Sequence, residues 1–370
     1  MGNYDDYKAA VEALSGGLNT VVFDDLGMPS VMVPVVKQKY SDLITGGTQD
    51  TFPCFIIDGV EKDVINVSKF ENIVVNGRAY SLPLKDPKVY ISFDEALQAC
   101  RNKGNGWGLM PGCLWQMLAL WSRKNGTIPH GNTNYGCYGE APFEKGVPKA
   151  KDTSGRVLRI GTGSGPETFY HNHKSSGIAD LCGNIWEWTA DSRLVNGEIQ
   201  IIPYGNCMRL DCSMSATSTE WKAILPSGEL VAPGTAGTLK YDNTKAGDGT
   251  QTNHSIGGPV FLSTTREHPM YTGGDTEAYY GYVANNPNMQ GLTAKTGVNV
   301  PQILKAYGLF PVDEDLNGDG LYIRNYGERL PLRGGDWLSG VTAGVFALGF
   351  HGARSLSNWD VGFRAAFVNL

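Results

Sequence analysis

The chain has 370 residues and a mildly acidic balance, with 31 Lys and Arg against 37 Asp and Glu for a net charge of −6. No basic cluster interrupts that balance, so the electrostatic footprint required by a phosphate backbone is missing and nucleic acid is not expected as a ligand. Hydrophobic residues at 41% are too many for disorder, and 48 glycines with 19 prolines are too many for a helical bundle; a loop-rich fold with a real core is expected.

The opening Met1-Gly2-Asn3-Tyr4-Asp5-Asp6 is acidic where a secretory signal would be basic and then apolar. No apolar run reaches the roughly 18 to 20 residues that cross a bilayer. A soluble protein made without Sec export and without membrane insertion is expected. Residues 1–45 read as an attachment or assembly segment, with a short helix over Tyr4 to Leu14 ended by Ser15-Gly16-Gly17 and a strand-like run from Ser30 to Val36 whose Pro34 suits a sheet edge. From Phe52 the pattern firms into mixed helix and strand, with turns at Asp58-Gly59 and Asn76-Gly77.

Ile91 to Arg101 predicts a helix in which Ser92 and Glu95 form a capping box. Leu109 to Trp121 predicts a second, with Leu114, Met117, Leu118 and Trp121 on one apolar stripe and Gly126 closing it. Beyond Gly126, loops and short strands are expected, apart from a short helix at Val300 to Tyr307. The seven cysteines (Cys54, Cys100, Cys113, Cys137, Cys182, Cys207, Cys212) contain no CxxC pair and read as buried free thiols.

Asp180-Leu181-Cys182-Gly183-Asn184-Ile185-Trp186-Glu187-Trp188 admits two readings, a Ca²⁺ site built from carboxylates and main-chain carbonyls or a structural aromatic corner. Asp313 to Gly320 begins like an EF-hand, but Arg324 stands where a bidentate Glu is required, so an acidic turn is expected. His171 and His173 lack a third metal ligand at sensible spacing. Asn66, Asn125 and Asn253 head sequons that read as chance matches without a signal peptide. No GxSxG, HExxH, Walker A or dinucleotide-binding pattern occurs.

The most informative stretch is the last. Strands are expected at Val345 to Phe350 and Val361 to Val368. Leu338, Phe350, Leu356 and Trp359 stand among Ser, Gly, Asn, Asp and His, as aromatic and aliphatic anchors do in an antibody paratope. The alternative is that these four are ordinary core residues.

Ile91-Ser92-Phe93-Asp94-Glu95-Ala96, Gly183-Asn184-Ile185-Trp186-Glu187-Trp188, Arg333-Gly334-Gly335 and Gly362-Phe363-Arg364 occur in the order found in the formylglycine-generating enzyme, or sulfatase-modifying factor, family. The resemblance spans about 52–368. It implies an α+β fold, that family's variant of the C-type lectin fold, with two helices, small irregular antiparallel sheets and long loops. Residues 46–370 would form this domain, with an insertion at about 192–328. The family's oxidase resembles a copper thiolate enzyme, but its cysteine positions fall near Ser339 and Gly344, and no cysteine follows Cys212. No enzymatic activity is therefore expected.

A closer resemblance is to the variable proteins of diversity-generating retroelements, such as phage tropism determinants. It rests on Arg333, Gly334, Gly335, Trp337, Gly340, Ala343, Gly344, Val345, Phe346, Ala347, Leu348, Arg354, Ser355, Gly362, Phe363 and Arg364. This likeness implies a variable ligand-binding segment at about 333–368. The positions open to variation are Asp336, Leu338, Ser339, Val341, Thr342, Gly349, Phe350, His351, Gly352, Leu356, Asn358, Trp359 and Asp360. It also implies a protein or glycan partner on a cell surface and a place in a phage virion, or else in a bacterial cytoplasm. Residues 1–45 would then attach the protein to the particle or to sister subunits. No cofactor is expected except Ca²⁺, for which the first resemblance marks Asp180, Gly183, Ile185 and Glu187. A repurposed enzyme of the formylglycine-generating type and a fixed structural tail protein are the alternatives.

Overall fold

A computed structural model describes residues 3–245, 258–269 and 288–370. The Asn253 sequon lies outside them. The chain is mixed α+β, with few helices, several small sheets and much of its length in loops. Among the described residues no helix is long and apolar enough to cross a membrane.

The expected first helix forms at Asn3–Leu14 and stops where Gly16 and Gly17 take φ of +62° and +82°, a conformation glycine enters without a Cβ penalty. The segment after it is not a separate appendage. Strands Thr20–Phe23 and Pro29–Val36 join the main body, the second pairing with Val64–Ser68 in the register Met32 to Ser68. Val31, Met32, Val33 and Val35 are buried there, so the valine-rich run belongs to the core. Pro34 lies beyond Met32, the last residue matched by the 20–23 strand, and that side of the strand is a local edge.

Helix Phe93–Arg101 starts as its sequence predicts: Ser92 Oγ accepts from the Glu95 N–H, and Glu95 Oε2 accepts from the Ser92 N–H at 2.8 Å. Helix Gly112–Lys124 departs from the single-stripe expectation. Every residue from Gly112 to Leu120 is buried, and Trp121 is the half-exposed one. A helix apolar all round is a central helix. It packs on strand Gly344–Gly352 and on helices Tyr40–Leu43 and Gln302–Ala306, and Trp115 Nε1 donates to the Val345 carbonyl at 2.8 Å.

The two ends of the chain meet in a five-stranded antiparallel sheet, where Ala365–Phe367 sits between Val64–Ser68 and Trp107–Leu109. A larger sheet runs in the order Leu230–Val231, Lys222–Ile224, Glu198–Ile201, Ser192–Val195, Glu328–Gly334, Trp186–Trp188, Val361–Phe363. Gly344–Gly352 pairs with Glu328–Gly334 on one side and Leu321–Ile323 on the other. The 192–328 segment supplies much of this sheet and the short helix Gln302–Ala306.

Between the strands Val361–Phe363 and Ala365–Phe367 the chain passes from one sheet to the other, and Arg364 turns fully inward at the crossing. Its guanidinium is held at Nε and Nη2 by the two oxygens of Glu187, Nη1 donates to the carbonyls of Ser68 and Ala179, and Nη2 also donates to that of Asp180. All seven cysteines are free; Cys137 is half-buried and the rest are buried.

Candidate functional site

Strand Glu328–Gly334 ends at Gly334 and Gly335, with φ of +90° and +83°. A Cβ on Gly335 would lie 2.8 Å from the Ala343 Cα, so only glycine allows the chain to reverse so tightly. The reversal throws out a loop from Asp336 to Thr342. Strand Gly344–Gly352 then returns through the core, and a second loop runs from Ala353 to Asp360. The framework residues Arg333, Trp337, Phe346, Leu348, Phe363 and Arg364 all lie buried beneath these loops.

The loops, with strands Trp186–Trp188 and Leu321–Ile323, enclose an open cavity of about 380 Å³. Eight of the predicted positions line it: Asp336, Leu338, Ser339, Thr342, His351, Leu356, Asn358 and Asp360. Leu338, Val341 and Trp359 are 50%, 69% and 41% exposed and form the outer rim. Trp359 rests edge-on against the buried Trp337, ring centroids 5.6 Å apart.

Three predicted positions are misplaced by the sequence reading. Phe350 is 0% exposed, because its strand is paired on both sides and covered, so it is a core residue rather than an anchor. Gly349 and Gly352 are packing glycines. A Cβ would come within 2.6 Å of the His351 ring at Gly349 and within 2.8 Å of Leu356 and Trp188 at Gly352. The sequence reading also missed four lining residues, Trp186, Tyr322, Arg324 and Val361. Trp186 was visible as one of two tryptophans around a carboxylate; Tyr322 and Arg324 carry no local signal.

Trp186, Tyr322 and His351 meet edge to face, with centroids 5.6 to 6.1 Å apart. Tyr322 donates to Thr342 Oγ1 at 2.8 Å. Burial, with the charges of Arg324 and Arg329, pulls His351 down to about 3, so the ring is neutral at physiological pH. At the other wall Asp336 Oδ1 accepts from Ser339 Oγ at 2.6 Å and from the Leu338 N–H at 3.1 Å. Asp360 hydrogen-bonds to Asp336, and burial together with that neighbouring charge pushes Asp360 up to about 7.

A carboxyl whose folded-state value is raised weakens the fold as pH rises, because the unfolded chain releases its proton first. Asp360→Asn is therefore expected to leave stability unchanged below pH 4. It should gain on the order of 2 kcal/mol between pH 4 and 7 and hold that gain above, as read from urea titrations across pH.

Most of the expected calcium-ligand oxygens on Asp180, Gly183 and Glu187 are engaged inside the chain. Both Glu187 oxygens accept from Arg364, and the Gly183 carbonyl accepts from the Ile185 N–H at 2.8 Å. Asp180 Oδ2 accepts from the Gly163 N–H, and burial pushes Asp180 up to about 6. The Arg364 guanidinium already neutralises Glu187, and Asp180 Oδ1, buried without a hydrogen-bond partner, is the one carboxylate oxygen of the expected set left open, where Ca²⁺ takes roughly six to eight oxygens. The melting midpoint is expected to be the same in millimolar CaCl₂ and in chelator; a rise with calcium would contradict this geometry.

The two histidines diverge, His171 Nδ1 accepting from the Ile178 N–H and His173 Nε2 bonding to the Ile128 carbonyl. In the acidic turn, Asp319 is buried and its Oδ2 accepts from the Phe346 N–H at 2.7 Å, tying the turn to the central strand. Asp242, Glu267 and His268 bring ligand atoms within 4.8 Å of one another. There Asp242 accepts from the main chain of Asn243, Glu267 and His268, and Glu267 pairs with Lys295 at 3.1 Å.

No family model matches the chain, and no curated protein matches it.

Proposed function

We propose that this is a non-enzymatic ligand-binding protein whose C-terminal face is diversified by a retroelement, built on the C-type lectin-like fold of the formylglycine-generating type. The observation that carries this reading is the separation of roles along one segment. Of the words shared with retroelement variable proteins, Arg333-Gly334-Gly335, Trp337, Ala343 to Leu348 and Gly362-Phe363-Arg364 are buried, Gly340 and Arg354 are half-buried and Ser355 is exposed, while most of the positions between them surround one cavity and its exposed rim. Such a division lets a surface change without loss of the core, since exposed substitutions alter stability little. The pairing of the 64–68 strand with the 365–367 strand, which brings the chain's beginning and end together, supports the fold assignment. The partner is a protein or glycan on a cell surface, and the protein acts as a receptor binder of a phage tail.

The test is to sequence the DNA beyond the 3′ end of the gene and the same segment in sibling isolates. The expected result is a near-repeat of the region coding for residues 333–367, differing where the repeat has adenine, beside a reverse-transcriptase gene. Identical siblings with no repeat would remove the diversification.

A second reading is favoured by one observation. The site is a concave cavity in which burial and the neighbouring Asp336 raise the Asp360 carboxyl to about 7, an arrangement suited to general acid–base work. A repurposed enzyme would show turnover that Asp360→Asn abolishes.

A further inference from the structure

Asp336 and Asp360 stand on one wall of the C-terminal cavity, and neither has a cationic partner among the described residues. Two other carboxylates removed from solvent are paired, Glu187 with Arg364, and Glu328 with Arg193 and Arg354 at 2.7 and 2.8 Å, while the buried Asp191 and Asp319 accept main-chain N–H groups. Asp360 Oδ1 has no hydrogen-bond partner although it is buried. The cavity's own cation does not answer this charge. Arg324 gives Nη1 to the His351 carbonyl, and its charge is felt at His351. Arg159, near Trp359, is engaged with Asp86 and the Trp359 carbonyl. His351 is neutral and Tyr322 is bound to Thr342, so neither compensates the pair.

The remaining walls suit a cation on an apolar stem. Aromatic rings attract cations through their quadrupole, and Trp186 and Tyr322 line the space. Leu338, Leu356 and Val361 add aliphatic surface for methylenes. A volume of about 380 Å³ admits one extended side chain and excludes a folded segment.

We propose that this cavity takes a primary ammonium on a flexible stem, the lysine side chain of a partner protein, seated between the Asp336–Asp360 carboxyls and the aromatic wall. The inference rests on reading this face as a ligand-binding surface. The ammonium favours the ionised form of Asp360, so binding tightens as pH rises from 5 to 8.

The test uses the full chain and N-acetyl-lysine methylamide, followed by the indole N–H resonances of Trp186 and Trp359 and by calorimetry. The expected result is a saturable shift of both indoles, at least tenfold weaker with the norleucine analogue, which keeps the stem and lacks the ammonium. Asp360→Asn should weaken the lysine probe by roughly tenfold or more and remove its pH dependence while the protein still melts cooperatively. Equal binding of the norleucine analogue, or an unchanged affinity in Asp360→Asn, overturns the proposal. Tighter binding of glucosamine than of the lysine probe also overturns it, in favour of an amino sugar. In each of those cases a shift at Trp186 and Trp359 leaves the ligand-binding face standing; that reading fails only if no probe moves either indole and sibling genes are identical.

Discussion

Arg364→Met is expected to destabilise the protein by about 3–5 kcal/mol and to lower its soluble yield, measured as a shift in urea midpoint at constant slope. Arg364 is 0% exposed and stands among three buried carboxyls, Glu71, Asp180 and Glu187. Its guanidinium is the positive charge that these share, and burial raises all three. Methionine fills similar volume but leaves Glu187 charged without a partner, and it strands the carbonyls of Ser68, Ala179 and Asp180. Glu187→Gln should be damaging for the reciprocal reason, since the guanidinium would keep only weakened acceptors. The double variant Arg364→Met with Glu187→Met should recover part of the loss, because two apolar side chains replace an ion pair without an orphaned charge. If Arg364→Met alone costs under about 1 kcal/mol, the crossing between the sheets does not depend on this pair.

The second large effect separates framework from face. Phe350→Ala should cost about 3–5 kcal/mol, since its ring is wholly enclosed in the central strand. Leu338→Ser and Val341→Lys should each change stability by no more than about 0.5 kcal/mol, because both side chains are largely in solvent. Gly344→Ala belongs with Phe350: its Cβ would lie 2.1 Å from the Asp319 carboxyl, which holds the Phe346 N–H. Thermal melts of these four variants decide the matter. A tolerant Phe350 or an intolerant Val341 would mean that the division between buried framework and open face is drawn in the wrong place.

Local chemistry in the sequence announced several elements. Ser92 and Glu95 announced a helix start, Asn76-Gly77 a hairpin, Gly16-Gly17 a helix end and Val300 to Tyr307 a short helix, which forms at Gln302–Ala306. These signals act within a few residues, through caps, left-handed turns and missing donors. The candidate site was legible to the extent that small and polar residues clustered between framework words at 336–342 and 353–360.

What was illegible depended on partners far along the chain. Nothing around Val31 to Val35 says that a strand from residue 64 onward will pair with it, so an integral strand read as an appendage. Phe350 and Leu356 look alike among their neighbours; one lies in a strand flanked on both sides and the other at a cavity wall. Glu187 read as a metal ligand because its neutralising Arg364 arrives from 177 residues away. Tyr322 and Arg324 reach the cavity only through the parallel pairing of their strand with Gly344–Gly352.

The sequence by itself determined the fold class, the helix ends and the segment that carries the site, because patterning and turn chemistry are local. Only the tertiary structure decided which side chains face the cavity and which charge answers which. Burial and charge pairing are set by neighbours in space, and a one-residue change of register or a distant guanidinium reverses the role of the same amino acid.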